Sequence, residues 1–167
     1  MSSNDDPGAG PKYARIERER RFLVAAVPDG VVERRTITDR YLHDTHLRLR
    51  QVVGDDGVVV RKLTHKVRLA GSVRQIACTS VPLDDVEWAL LSALPGDDLA
   101  KTRHVVVRDG VRVVVDELAD GTLLAEIDDG DEEPVEPPAW LGVQVEVTDD
   151  EAWTGASLAT RQNVADK

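Results

Sequence analysis

The chain has 167 residues, one cysteine and a formal net charge of −10. That length suits one domain with its own core, and a lone cysteine excludes an internal disulfide framework and fits a reducing compartment. Nucleic-acid binding depends on cationic contacts to phosphates, and a membrane span needs roughly 20 apolar residues, which no stretch approaches. We therefore expect a soluble, cytoplasmic protein that binds neither nucleic acid nor membrane.

Residues 1–12 lack the basic start and apolar run of a signal peptide, so they predict a disordered lead-in. We expect residues 13–160 to form one domain and residues 161–167 to form a C-terminal tail. Charge is unevenly distributed along the chain. Residues 12–74 hold 15 Lys or Arg against 8 Asp or Glu, whereas residues 113–151 hold 14 Asp or Glu and no Lys or Arg. The chain therefore has a cationic part and an anionic part.

The first predicted strand carries alternating charged residues. Alternate residues of a strand share a face, so Glu17, Glu19 and Arg21 lie on one side and the apolar Phe22 and Val24 on the other. Two carboxylates about 7 Å apart along one face can hold a divalent cation. The other interpretation of this strand is a solvated face of mixed charge.

Later segments continue the strand pattern, with one change of period. Strands are predicted at 31–41, 47–52, 60–69, 73–81, 101–105, 111–118, 123–128 and 143–147, several of them joined by Gly-containing turns. Helical spacing predicts one amphipathic helix in residues 82–94, capped by Asp84, and a capping box in residues 148–151 opens a short last helix. These elements predict an α+β fold, mainly an antiparallel sheet that curls toward a barrel.

Charged residues recur on one face of most of these strands. The same-face charged sets are Glu17, Glu19 and Arg21; Arg48 and Arg50; Lys62, Lys66 and Arg68; Lys101 and Arg103; Asp116; Glu126 and Asp128; and Glu146. One interpretation is a polar interior that holds a highly charged ligand. The other is an exposed polar outer face around an apolar centre, and alternation alone does not separate the two.

Several segments resemble, in order, the motifs of the CYTH superfamily, the triphosphate tunnel metalloenzymes. The opening Glu17-x-Glu19-x-Arg21 is similar to the family's Glu-x-Glu-x-Lys signature. The matching segments further along are Tyr41-Leu42, Leu47-Arg48-Leu49-Arg50, Thr64-His65-Lys66, Lys101-Thr102-Arg103, Val115-Asp116, Glu126-Ile127-Asp128, Pro138-Ala139-Trp140-Leu141-Gly142 and Glu146-Val147-Thr148. The resemblance covers the chain from Arg15 to Leu158.

The resemblance implies an eight-stranded tunnel with a few peripheral helices and a triphosphate-containing small molecule as its partner. It implies phosphate binding by Arg48, Arg50, Lys66, Lys101 and Arg103. It implies that magnesium or manganese is held by Glu17, Glu19, Asp116, Glu126, Asp128 and Glu146, with Glu17, Glu19 and Arg21 as catalytic residues. The implied reaction is metal-dependent hydrolysis of an inorganic or organic triphosphate. The alternative within the family is cyclisation of ATP to cAMP, as in class IV adenylyl cyclases. A homodimer is compatible with the sequence.

Four positions depart from the family pattern. Arg21 stands where a lysine is usual, and Asp128 replaces a glutamate. Ile76 and Cys78 occupy fifth-strand sites where many members have glutamates. Loss of two inward carboxylates leaves a further hypothesis open, namely a noncatalytic module that binds polyphosphate or a phosphorylated ligand.

Overall fold

A computed structural model describes residues 13–69, 75–128 and 136–165. The predicted lead-in at residues 1–12 lies outside the described residues, as does the start of the predicted fifth strand. The strands are β1 Arg15–Val24, β2 Val31–Leu42, β3 Leu47–Gly54, β4 Val59–Arg68, β5 Gln75–Pro82, β6 Gly96–Arg108, β7 Val111–Leu118, β8 Leu123–Asp128 and β9 Val143–Glu146. The α-helices are α1 Asp85–Ser92 and α2 Gly155–Ala165, and two short 3-10 helices span Ala139–Leu141 and Glu151–Trp153.

Eight of these strands close into an antiparallel barrel. The strand order is β5-β4-β3-β2-β6-β7-β8-β1, and β1 pairs back onto β5 through Arg15–Arg18. β9 pairs with the other end of β1, where Phe22 lies opposite Glu146. The predicted α+β fold with an eight-stranded barrel is confirmed, and β9 is an additional strand outside the closed ring.

The main apolar core lies on the outer face of the barrel rather than inside it. It contains Phe22, Val24, Val106, Val113, Val115, Ala125, Ile127 and Leu141, with Trp140 packed against it. These residues alternate along their strands with the charged ones, so the opposite parity is left for the interior. A second cluster, made of Leu99, Leu118, Leu124, Val147, Leu158 and Ala159, joins three barrel strands to α2.

Helix α1 has the predicted cap but not a buried face. Asp84 accepts a hydrogen bond from the Glu87 backbone, and the Glu87 side chain accepts one from the Asp84 backbone, which completes a capping box. The apolar stripe, however, is exposed, with Val86 at 68% and Leu90 at 70% of their accessible surface. The predicted helix is therefore present, but its apolar side chains do not pack into the core.

Helix α2 begins at Gly155 and runs to Ala165, five residues past the domain boundary expected at residue 160. Asn163 Nδ2 donates to Asp97 at 2.7 Å, and Gln162 Oε1 accepts from the backbone of Ala100 at 3.1 Å, so this last turn is docked on β6. A side chain at Gly155 would collide with Tyr41, since a Cβ there would lie 1.8 Å from the tyrosine hydroxyl. No helix in the described part of the chain is long and apolar enough to cross a membrane.

Candidate active site in the barrel interior

The barrel interior is lined by charged side chains of both signs. The carboxylates are Glu17, Glu19, Asp39, Asp116 and Glu126, and the cations are Arg48, Arg50, Lys62, Lys66, Lys101 and Arg103. We call these residues the interior charge cluster. Asp39 is 0% exposed and Arg48 6%. The charged faces of these strands therefore surround a polar interior, and the alternative of a polar outer face around an apolar centre does not describe this barrel.

Asp116 on β7 is the most heavily paired carboxylate of the cluster. Arg103 lies opposite it in register and donates from Nε and Nη2 at 2.7 and 2.8 Å, while Lys101 Nζ donates at 2.5 Å. Burial raises the pKa of Asp116, but the charges and hydrogen bonds of Lys101 and Arg103 outweigh it and hold that pKa well below its usual range. Arg103 Nη2 also donates to Glu126 at 2.8 Å. One guanidinium thus joins two of the predicted metal-binding carboxylates.

Glu17 on β1 faces β4 and β5. Lys66 Nζ lies 3.3 Å from Glu17 Oε2, and the thiol of Cys78 donates to the same oxygen at 3.1 Å. Burial raises the pKa of Glu17. The charge of Lys66 and the hydrogen bond from Cys78 lower it by more, so the pKa lies below its ordinary value. The Cys78 pKa is raised to about 12, first by burial and then by its hydrogen bond to Glu17, so the thiol stays protonated as a donor.

Glu19 is the carboxylate with the most unfavourable surroundings. Its pKa is raised to about 7, first by the negative charge of Glu126 and then by burial, while Lys66 and Arg103 act in the opposite direction. Glu19 and Glu126 repel each other when both are ionised, so they form a site of negative potential in the interior. A bound cation would relieve that repulsion.

Asp39 on β2 completes the cluster and was not among the site residues predicted from the sequence. It lies opposite Arg50 in register, and Arg50 donates to its two oxygens from Nε and Nη2 at 2.6 and 2.7 Å. Arg48 Nε lies 3.8 Å from Asp39 Oδ1. Tyr41, on the same face, has its pKa raised to about 12 by burial and by the charge of Asp39.

The structure does not bring Glu146 into the cluster. Arg20 donates to its two oxygens from Nε and Nη2, both at 2.9 Å, and the Thr148 hydroxyl donates at 2.7 Å. Arg20 and Phe22 share the outer face of β1, and Phe22 belongs to the outer apolar core. Glu146 therefore fastens β9 to β1 on the outside, and we leave it out of the proposed metal ligands.

Two other predicted site residues lie at the edges of the cluster. Arg21 Nη1 donates to the Trp153 carbonyl at 2.7 Å and Nη2 to the Thr148 carbonyl at 3.1 Å, so its guanidinium binds the segment after β9. Asp128 lies opposite Glu19 in register, but its side chain is 61% exposed and 3.9 Å from Arg15 Nη2. Asp128 is thus at a mouth of the barrel rather than in its centre.

A divalent cation would have to displace existing ion pairs. In the described ranges, no group of three or more His, Cys, Asp or Glu side chains is arranged to hold a metal ion. Glu17 is engaged by Lys66, and Glu126 by Arg103. Carboxylate oxygens are nevertheless the ligands that magnesium and manganese prefer, and the repulsion that raises the pKa of Glu19 favours a cation. The residues present fit such an ion once Glu17 and Glu126 exchange their cationic partners for it.

The fold resembles that of solved structures. No protein-family model matches the chain, and no curated protein matches it. Two crystal structures of NE1496, one described as a hypothetical protein and the other as an inorganic triphosphatase, align with this chain with TM-scores of 0.54. Their sequence identities are 25% and 26%, and each alignment covers 86% of this chain and 97% of the NE1496 chain. A conserved hypothetical protein from Pyrococcus furiosus aligns with a TM-score of 0.51 at 15% identity, over 71% of this chain and 81% of its own, and shows the fold alone. The chain thus resembles the CYTH, or triphosphate tunnel metalloenzyme, superfamily in its ordered motifs and has its tunnel fold.

Proposed function

We propose that this protein hydrolyses a triphosphate inside the barrel in a divalent-metal-dependent reaction, with inorganic triphosphate as the first candidate substrate. The observation that carries the proposal is the interior charge cluster, in which six cations and five carboxylates line one closed barrel. A polyanion with its counter-metal is the class of ligand that needs both. The similarity to the inorganic triphosphatase NE1496 supports the same reaction class.

The cations would bind the phosphates. A triphosphate carries about four negative charges near neutral pH, and charge-assisted hydrogen bonds from Arg48, Arg50, Lys66, Lys101 and Arg103 would offset them. Arginine suits this task because its planar donors can bind two phosphate oxygens at once. Burial of Arg48 and Arg50 limits competition from water, which would strengthen their contacts with phosphate.

The carboxylates would hold the metal. Glu17, Glu19 and Glu126 are the proposed ligands, because they lie close to one another and two of them repel. When bound, a magnesium or manganese ion would neutralise phosphate charge and polarise the phosphorus. Asp116 would orient Lys101 and Arg103 toward the substrate, because its oxygens are already engaged with both. Asp128 could join the ligands only from the mouth of the barrel.

A binding module without turnover is the second candidate, and the β5 wall favours it. Ile76 lies opposite Glu17 in register, and Cys78 lies opposite Lys66, so this wall offers no carboxylate at either position. Fewer acidic ligands mean a weaker metal site, and a tunnel that retains its cations would still bind polyphosphate. This candidate predicts saturable binding of tripolyphosphate with no turnover under any divalent metal.

One assay separates the candidates. Purified protein is incubated with tripolyphosphate, ATP or thiamine triphosphate and with magnesium or manganese, and orthophosphate and pyrophosphate are measured. Metal-dependent orthophosphate release that is lost in Glu126→Gln and retained in Asp98→Asn, an outer-face control, supports hydrolysis. Pyrophosphate from ATP, with cAMP as the second product, would indicate cyclisation instead. Binding of tripolyphosphate by calorimetry without release of either product would support the binding module and refute the proposed hydrolysis.

A further inference from the structure

Asp39 lies in the interior charge cluster beside two arginines, Arg48 and Arg50. Its carboxylate is fully buried, and both of its oxygens accept from Arg50, at 2.6 and 2.7 Å. Bidentate pairs of this kind fix the plane of the guanidinium as well as its position. Since both oxygens are occupied, Asp39 differs from Glu19, whose neighbours leave it in need of a cation.

The neighbouring Arg48 has one unpaired hydrogen-bond donor among the described residues, its Nε. Its Nε is buried and makes no hydrogen bond to any described residue, and its distance of 3.8 Å from Asp39 Oδ1 is too long for one. Its Nη2 reaches Thr64 Oγ1 only at 3.4 Å. Buried N–H groups are nearly always paired in folded proteins, so this unpaired donor is available to an oxygen atom that enters the interior.

We propose that Asp39 is a positioning residue for the triphosphate, which locks Arg50 in place and leaves the Nε of Arg48 directed to a phosphate oxygen. The inference rests on the proposed function, in that a triphosphate must enter the barrel. It adds that Arg48 and Arg50, which are alternate residues of β3 and share one face, have different roles. Asp39 attracts both guanidinium groups, but it hydrogen-bonds only Arg50.

This role has a signature that a simple charge effect cannot produce. Removing a carboxylate from a site for a polyanion should strengthen binding by Coulomb's law, because a repulsive charge is lost. If Asp39 acts by orienting arginines, its removal should weaken binding although the interior becomes more positive. The sign of the change in affinity therefore distinguishes positioning from electrostatics.

The test is calorimetric titration of sodium tripolyphosphate into metal-free protein, into Asp39→Asn and into Asp98→Asn. Asp98 is a matched control, because it is also held by an arginine, with Arg40 Nη1 at 2.8 Å from both of its oxygens, but on the outer face. We expect the dissociation constant to rise at least tenfold in Asp39→Asn and to stay within twofold of wild type in Asp98→Asn. Equal or tighter binding by a folded Asp39→Asn variant would overturn the inference while leaving hydrolysis intact.

A second measurement uses the wild-type protein and so does not depend on the variant folding. In proton–nitrogen spectra of the arginine side chains, tripolyphosphate should shift the Nε resonance of Arg48 more than that of Arg50, with assignments from Arg48→Lys and Arg50→Lys. A shift at Arg50 alone would overturn the inference. Binding without hydrolysis would defeat only the proposed reaction, whereas a wild-type protein that binds no tripolyphosphate would overturn both.

Discussion

Glu19 lies beside Glu126 in the barrel interior, and the charge of Glu126 is the main cause that raises the pKa of Glu19 to about 7. The folded protein therefore binds a proton more tightly than the unfolded chain, in which Glu19 has its ordinary pKa of 4.5. Stability from this group is fully present at low pH and is lost as pH rises from about 4.5 through 7. The ionised form of Glu19, which is the form proposed to bind metal, is thus the form that destabilises the metal-free protein.

The substitution Glu19→Gln should therefore stabilise the metal-free protein at pH 8 and leave it nearly unchanged at pH 5. The gain in unfolding free energy should be about 1 to 3 kcal/mol, since one pKa unit corresponds to about 1.4 kcal/mol. Urea denaturation in the presence of a chelator at both pH values measures it. A Glu19→Gln variant that is less stable than wild type at pH 8 would contradict the prediction.

Metal and tripolyphosphate should bind cooperatively. The carboxylates proposed for the metal now hold Lys66 and Arg103, so a metal ion that binds Glu17 and Glu126 would release those cations for phosphate. We expect each ligand to tighten the other's binding at least tenfold, by the same factor in both directions. Calorimetric titrations of manganese and of tripolyphosphate, each with and without the other, measure the coupling after correction for their complex in solution. Independent binding would argue against partner exchange.

Arg103→Gln should cost about 3 to 5 kcal/mol of unfolding free energy, because it leaves two buried carboxylates short of a cation. Asp116 would retain only Lys101, and Glu126 would lose its ion pair. The variant should also lose the proposed triphosphatase activity. Arg40→Gln removes an arginine from an exposed pair with Asp98 and should cost no more than about 1 kcal/mol. Similar losses in the two variants, measured by chemical denaturation, would contradict the importance assigned to the interior pairs.

Gly155→Ala should destabilise the contact between α2 and the barrel. The added methyl group would lie 1.8 Å from the Tyr41 hydroxyl, so the helix or the tyrosine must move. We expect a loss of about 1 to 3 kcal/mol, as for other overpacked sites. Tyr41→Phe in the same chain should restore part of it, because the hydroxyl is the nearest obstacle. Thermal unfolding of the three variants checks this, and full tolerance of the alanine would show that α2 is loosely docked.

The strands were predictable because alternation is a local property of the sequence. β7 and β8 begin and end where the pattern places them, at Val111–Leu118 and Leu123–Asp128. Asp39 was missed because it stands alone between Thr38 and Arg40, and only its register with Arg50 across β2 and β3 shows what it does. That register is set by the closed sheet and is not visible in either strand by itself.

The errors have a related cause. Alternation places Glu146 and Gln144 on one face of their strand, but it does not show whether that face points into the barrel. Because β9 lies outside the closed ring, the interior and exterior positions of the other strands do not extend to it. For α1, helical spacing correctly predicted a helix, but whether Val86 and Leu90 are covered depends on neighbours elsewhere in the chain. Sequence pattern therefore identified the elements and most of the charged interior, and missed what depends on their arrangement.

The outer position of the apolar core has a consequence for how such a protein can change over time. Phe22, Val115 and Ile127 hold the sheet together from outside, so the lining can be altered in compensating pairs of opposite charge while the scaffold persists. Ile76 and Cys78 show that this wall accepts uncharged residues. A barrel organised in this way can acquire a new ligand through substitutions of the residues that line its interior, without changes in the outer core.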